Sequence, residues 1–417
     1  MSVGISPGQH PETADGAAAA LRTTRAVRER AGYLLQRARS GESAWFDVDD
    51  AALPAAVTEV VAVTRSRYPD LNIPFHSRWR HFEAGGVDRK AELDARTSTW
   101  DPAARARAMI DLTVVSVLLD AGAGPDWHYD EESSGQRFAR SEGLGVATWN
   151  AFLDGRFSSD PGVPLRVDAA GLLALTPGRL AETFQVGPGN PLVGIEGRVQ
   201  LLHRLAASLA DQPLTFGPLG RPGGLFDRLL AAGPAAITAH DILSELLVSL
   251  SGIWLADNQI DGRRLGDCWP HAAVPGAGLT RGWMPFHKLS QWLTYSLLEP
   301  FAWAGVRVGD LDELTALPEY RNGGLLLDTG VLRLRDPGWT REAWAVGDEL
   351  VIEWRALTVA LLDELAPMVR HGLGATAEEM PLARVLEGGT WAAGRVLAQR
   401  LRGGLPPLVI VSDGTVF

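Results

Sequence analysis

The stretch from Asp101 to Leu119 constrains the fold most. Asp101-Pro102 is a helix start, because aspartate caps the first free N–H groups and proline suits the first helical position. The body that follows, Met109 to Leu119, is apolar almost all round. A helix without a polar face must be wrapped on every side. The stretch therefore predicts a central buried helix that ends at Gly122-Ala123-Gly124-Pro125.

The wrapping is predicted to be helical as well. Helical patterns cover 16–39 and 50–67, the second with Asp49 or Asp50 as N-cap, then about 134–153, 168–184, 192–210, 239–255, 286–303, 340–365 and 378–402. Strand signals are few, the best being 331–334 and 408–411. Strand and helix do not alternate regularly, which argues against a doubly wound parallel sheet. The expected fold class is mainly α with minor β elements. Residues 1–15 are expected to be a disordered tail and 16–417 one large helical catalytic unit, with an N-terminal helical subdomain over 16–122 as an option.

Composition narrows the function. A chain of 417 residues can bury a core without disulfides. The single Cys268 excludes an intramolecular disulfide and any CxxC site, and points to a reducing compartment. The net charge of −11 argues against nucleic acid or an anionic membrane as partner. Met1 to Ala20 lacks a secretion-signal pattern, and no run reaches the roughly 18 apolar residues of a membrane span. A cytoplasmic location is the expectation. GxxxxGK[ST], GxGxxG after a strand, HExxH and GxSxG are all missing, so the common nucleotide, zinc-protease and α/β-hydrolase sites lose ground. Of 39 basic residues only Lys90 and Lys288 are lysine. Such an arginine bias carries no functional meaning, but a lysine that persists within it stands out.

Five segments have the residues for chemistry. Pro74–Phe82 interleaves Arg78, Arg80, His76 and His81 with aromatics; it is either an anion-binding loop or an arginine–aromatic packing cluster. Asp126-Trp127-His128-Tyr129-Asp130-Glu131-Glu132 follows the central helix. Its acidic run reads as caps and a negative first turn for the next helix, which leaves Asp126 and His128 unexplained. Gly252–Gly262, with Asp257 and Asp261, runs on to Asp267-Cys268-Trp269-Pro270-His271. Asp261-Gly262 is a good turn pair, so Asp261 leans structural. In Phe286–Leu293, helical spacing aligns Lys288, Gln291, Tyr295 and Glu299. Lysine in a helix's first turn opposes the macrodipole unless it serves an anion. Leu314–Gly324 sets Glu319 beside Tyr320 and Arg321, before Asn322 and a glycine pair; it reads as a site loop or as a helix-end turn with a surface Glu.

Taken together, PFHSRWRHFEAGG (74–86), DWHYDEE (126–132), WNAFLDGRFSS (149–159), NPLVGIEGR (190–198), IWLADNQIDGRRLGDCWPH (253–271), PFHKLSQWL (285–293), PEYRNGGLLLDTGVL (318–332) and GGTWAAGR (388–395) resemble the uracil-catabolism family named after the URC and Urg loci. That resemblance implies a place in a pyrimidine breakdown route in which uracil becomes a nucleotide and its ring is then opened. A second resemblance covers about 45 residues. FHKLSQWLTYSLLEPF (286–301) and LTALPEYRNGGLLLDTGVL (314–332) are similar to queuosine-salvage N-glycosylases. It implies a helical glycosylase-like fold, related to helix-hairpin-helix DNA glycosylases, with a carboxylate that hydrolyses a ribosyl–nitrogen bond. Glu319 matches that family's aspartate, and Asn322-Gly323-Gly324 replaces its Val-Pro-Gln.

The two resemblances together imply an N-ribosyl hydrolase that releases urea from ribosylurea or its 5′-phosphate. Glu319 would stabilise the oxocarbenium-like state and activate water. Asp126, His128 or Tyr129 would protonate or hydrogen-bond the departing urea. Lys288, with Arg78, Arg80 or Arg321, would hold a phosphate or keep Glu319 ionised. Trp127 and Trp283 would wall the pocket, and Tyr320, His287, Asn322, Asp257 and Asp261 complete the expected substrate contacts. No cofactor or metal is expected. The partners expected are the small ribosyl substrate and the ring-opening enzyme of the route. The rivals are a metal-dependent amidohydrolase using His76, His81, His128, His271 or Asp126, a non-catalytic partner of the ring-opening enzyme, and a queuosine-type glycosylase proper.

Overall fold

The computed structural model describes residues 10–120, 122–231, 233 and 236–411. It is mainly helical, and every sheet among these residues has two strands. The chain divides into two compact units. The first holds residues up to His76, Ala256–Gln291 and Leu311–Val411; the second holds Ser77–Leu255 and Trp292–Asp310. Residues 16–122 are thus shared between the two.

The predicted central helix is Pro102–Leu118, in the second unit. Asp101 caps it by accepting the Ala104 N–H, and every residue from Ala108 to Leu118 is buried. It packs on helices Arg140–Leu153, Ile195–Ala210 and Gly224–Leu230. Its one buried charge, Asp111, accepts N–H groups of Val167 and Gly223 and pairs with Arg221 at 2.7 Å.

The first unit has a buried helix of its own, Glu349–Leu373, which starts and ends eight or nine residues later than the 340–365 pattern suggests. Leu350 to Leu362 are all buried, including Glu353, Arg355 and Thr358. It packs on helices Thr24–Arg39 and Leu53–Arg67 and stops at Gly374, whose φ of 74° makes a left-handed cap. Helix Trp391–Arg402 packs on helix Tyr320–Asp328 with no room to spare. A Cβ added at Gly394 would lie 2.0 Å from the Arg321 carbonyl oxygen.

Both strand signals form strands. Leu332–Leu334 pairs antiparallel with Phe46–Val48, and Val409–Val411 pairs parallel with Ala343–Ala345. The expected helix 16–39 is two helices, Ala14–Leu21 and Thr24–Arg39, because Thr23 turns its side chain to the Ala26 N–H and starts a new one. Within the expected tail, Asp15 pairs with Arg263 and Pro11 accepts the Leu279 N–H, while residues 1–9 lie outside the described part.

The Asp126–Glu132 run is not the start of a helix. His128–Glu131 pairs antiparallel with Gln136–Ala139, and helix Arg140–Leu153 begins only afterwards. The physical reason is alternation: Tyr129, Glu131 and Phe138 point inward, and Glu131 is drawn in by the buried Arg89 at 2.5 Å. Among the described residues no helix is long and apolar enough to cross a membrane.

Candidate functional site

The first unit brings together the two segments that carry Glu319 and Lys288. Glu319 closes the irregular stretch 314–319 at the point where a helix starts. It is the N-cap of helix Tyr320–Asp328, with an extended backbone at φ −124° and ψ 168°. Its two oxygens accept the N–H groups of Arg321 and Asn322, both at 2.6 Å. This is the position where helix N–H groups lack partners and where the dipole favours negative charge. Glu319 as a residue is partly exposed, while its carboxyl group is turned onto the helix end.

Two opposing effects act on Glu319. Burial pushes its carboxyl above the ordinary Glu value. The two helix N–H groups, the Lys288 ammonium and the Arg321 guanidinium pull it down without cancelling that rise. Lys288 therefore stands close enough to act on Glu319 by charge. Helix Lys288–Trp303 begins with this lysine. Its next turn is tied to the Glu319 segment, since the Gln291 amide donates to Thr315 Oγ1 and accepts the Thr315 N–H at 2.7 Å.

Asn322 is fully buried; its amide donates to the Leu317 carbonyl, and its own carbonyl oxygen has no partner. Gly323 sits against the Trp354 ring, where a Cβ would meet the ring at 2.6 Å, so the helix can approach only without a side chain there. Arg321 donates to the Gly404 carbonyl and lies over the Tyr320 ring at 4.8 Å. Tyr320 itself is exposed.

The other expected first-unit residues have structural places. His287 is buried, with φ 51°, and its Nε2 meets the Leu21 carbonyl at 3.0 Å. Burial lowers its pKa and favours the neutral ring. Trp283 is partly buried and packs on a small core that includes Leu21, Leu265 and Cys268. Burial pushes the Cys268 thiol far up, which makes it a poor nucleophile. Asp261 and Gly262, with φ of 44° and 80°, are the turn of the hairpin Gln259–Ile260/Arg263–Arg264, in line with its structural reading. Asp257 is exposed.

The second unit holds Arg78, Arg80, Asp126, Trp127, His128 and Tyr129. Arg78 is fully buried, where it pairs with Asp120 at 2.9 Å and donates to Ser116 and Ser141. Arg80 is shared between Glu83 at 2.8 Å and Glu299 at 2.6 Å. Both guanidinium groups are thus paired with the protein's own carboxylates, while Arg78 Nη2 and Arg80 Nε are buried without a hydrogen-bond partner among the described residues. Trp127 is buried and donates to the Phe184 carbonyl. The backbone of His128 is clasped by Asn190 at 2.8 Å on both sides. Tyr129 is buried on the hairpin's inner face, and burial raises its hydroxyl pKa. Asp126 is exposed.

Sequence reasoning passed over Asp267 and Arg355. Asp267 lies in the same Gly252–His271 stretch as Asp257 and Asp261, with nothing local to mark it apart from them. Arg355 gives no local signal at all, being one arginine among 37 on a long apolar helix. Among the described residues no three His, Cys, Asp or Glu side chains are grouped to hold a metal ion. His76 faces Glu387 at 2.8 Å, and His271 faces Glu353 at 3.3 Å. A groove of about 490 Å³ between helices Leu53–Arg67 and Trp391–Arg402 is lined by none of the expected site residues.

The chain is similar to two characterised relatives along most of its length. It is 39% identical over 404 residues to Protein urg3 of Schizosaccharomyces pombe, covering 94% of this chain and 96% of that protein. It is 38% identical over 378 residues to Uracil catabolism protein 4 of Lachancea kluyveri, covering 83% and 85% respectively. Residues 20–417 match the family described as Protein of unknown function (DUF1688). With a match of that extent and relatives this similar end to end, the chain belongs to the DUF1688 family.

Proposed function

We propose that this protein acts in uracil catabolism as an N-ribosyl hydrolase that releases urea from ribosylurea or its 5′-phosphate. The observation that carries the reading is Glu319: a carboxylate on two helix N–H groups, with its pKa raised by burial and a lysine charge beside it. The name of the Lachancea kluyveri relative supports the pathway.

Cleavage of a ribosyl–nitrogen bond builds positive charge at C1′ and the ring oxygen. A carboxylate held rigidly beside that carbon stabilises the charge without reorganising in the transition state. The same group takes a proton from the attacking water. A carboxyl lifted above the usual range is a stronger base for that transfer than an ordinary glutamate. Lys288 and Arg321 oppose that rise by favouring the ionised form of Glu319, and they offer an anion site for a 5′-phosphate. The unsatisfied Asn322 oxygen is an acceptor within the same turn of helix.

The test is direct. Purified protein is incubated with ribosylurea and with its 5′-phosphate, and urea is measured with urease. Urea should appear with at least one substrate, and Glu319→Gln should reduce kcat by roughly 10²–10⁴-fold, the usual contribution of a positioned acid–base group. Absence of urea with both substrates, or full activity of Glu319→Gln, removes the reading.

A further inference from the structure

We infer that the buried ion pair of Asp267 and Arg355 is the positioning device of this site: it holds Lys288 and Glu319 at a fixed separation, although neither of the pair is placed to touch substrate. The inference rests on reading Glu319 and Lys288 as the site.

The geometry is that of a clamp with one arm on each segment. Arg355 projects from the buried helix Glu349–Leu373 and meets Asp267 with both ends of its fork, at 2.8 and 2.7 Å. The same Asp267 carboxylate accepts the backbone N–H of Lys288 at 2.9 Å and the Trp269 indole N–H at 2.7 Å. The Asp267 carbonyl accepts the N–H groups of Phe286 and His287. The start of helix Lys288–Trp303 is therefore seated on one aspartate. The other arm is on Arg355, whose Nε lies 3.4 Å from the Pro318 carbonyl, one residue before Glu319. Its guanidinium also covers the Phe286 ring at 4.0 Å.

Both members are almost wholly buried. A buried ion pair is poor evidence of stabilisation, since hydrophobic residues of similar volume often serve as well. What this pair supplies is geometry. A planar fork gripping a carboxylate at two points admits one orientation, and lysine cannot reproduce it. Residues two steps from the chemistry lower rates when they let reacting groups drift by about an ångström.

The two lysines make the test unusually clean. Protein labelled with 13C at lysine Cε gives two signals, for Lys90 and Lys288, and Lys90→Arg assigns them. As pH rises through the range where Glu319 ionises, above the ordinary Glu value, the Lys288 signal should show a step, and Glu319→Gln should abolish it. In Arg355→Lys, whose added third signal is recognised by its absence from the wild type, and in Asp267→Asn the Lys288 step should shrink to roughly half or less, because the two groups drift apart. Its midpoint should rise, because the carboxylate loses its lysine. Simple removal of the Asp267 charge would move that midpoint down, so the sign separates positioning from field. An unchanged step in both variants, or a midpoint that falls in Asp267→Asn and stays put in Arg355→Lys, overturns the inference.

Arg355→Lys retains the charge and is the variant to rely on if Asp267→Asn melts below the working temperature. For urea release, kcat should drop about tenfold or more with KM little changed. A wild-type protein that releases no urea removes the proposed reaction. The lysine signal would still decide whether the clamp sets the Lys288–Glu319 separation.

Discussion

At the scale of single residues, the two lysines have opposite settings. Lys90 pairs with Asp94 at 2.5 Å and lies over the Trp303 ring at 4.5 Å. Both contacts are ones that arginine makes readily. Lys288 acts on a carboxyl at a helix start, where a compact ammonium differs most from a broad planar fork. Lys288→Arg should therefore lower kcat for urea release about tenfold or more, and Lys90→Arg should leave it unchanged; equal behaviour would make Lys288 an ordinary surface charge. Asp267 carries a prediction about acid. Burial works to raise its carboxyl, but Arg355, the Lys288 N–H and Trp269 outweigh it and hold it down to about 2. Its folded value lies below its unfolded one, so its contribution is present above the ordinary Asp range. That contribution is lost as pH falls toward 2. From the shift it is worth about 2 kcal/mol. Asp267→Asn should flatten the fall of denaturation free energy between about pH 4 and pH 2. A slope identical to wild type would show that Asp267 is not depressed.

At the scale of elements, glycines decide how closely the site helix can be backed. Gly394 on helix Trp391–Arg402 faces the Arg321 carbonyl so tightly that any Cβ must push the two helices apart. Arg321 is also the residue whose N–H holds Glu319. Gly394→Ala should cost about 1–3 kcal/mol in chemical denaturation, as overpacking does, and should reduce activity as well. Gly32, on helix Thr24–Arg39, is the contrast: a Cβ there meets nothing within 4 Å. Gly32→Ala should stabilise by roughly 0.5–1 kcal/mol, since alanine loses less backbone freedom in a helix. A π-helical turn, Leu386–Thr390, precedes helix Trp391–Arg402. Gly388 and Gly389 let it lie against Val60 and Thr64 of helix Leu53–Arg67. A helix pattern over 378–402 is legible in the sequence, but an inserted residue in that pattern is not. A π turn shifts the register by one residue only because the neighbouring helix lies that close.

At the scale of the whole molecule, the expected site residues fall into two sets. Glu319, Lys288, Tyr320, Arg321, Asn322, Trp283, His287, Asp257 and Asp261 belong to the first unit; Arg78, Arg80, Asp126, Trp127, His128 and Tyr129 belong to the second. The proposed chemistry uses first-unit residues alone, so it predicts an order of sensitivity. His128→Ala should change kcat by less than Glu319→Gln does, and a larger effect of His128→Ala would move the acid–base work to the hairpin. Dialysis against a chelator should leave urea release unchanged; activity lost and then restored by a divalent metal would favour attack on the ureido carbon instead.

Sequence alone determined the features that depend on neighbours in the chain. The Asp101-Pro102 start, the apolar run that had to be buried, the strands at 331–334 and 408–411, and the Asp261-Gly262 turn all follow from local propensity and periodicity. The juxtaposition of Lys288 with Glu319 was foreseeable only through resemblance, because nothing local joins residues 31 positions apart. The Asp126–Glu132 run misled, since a buried arginine 42 residues earlier, Arg89, turned Glu131 inward and made a strand of a segment that reads as a cap. The clamp of Asp267 and Arg355 was decided wholly by tertiary structure. An arginine's meaning depends on which carboxylate the folded chain sets before it, and a separation of 88 positions carries no trace of that choice.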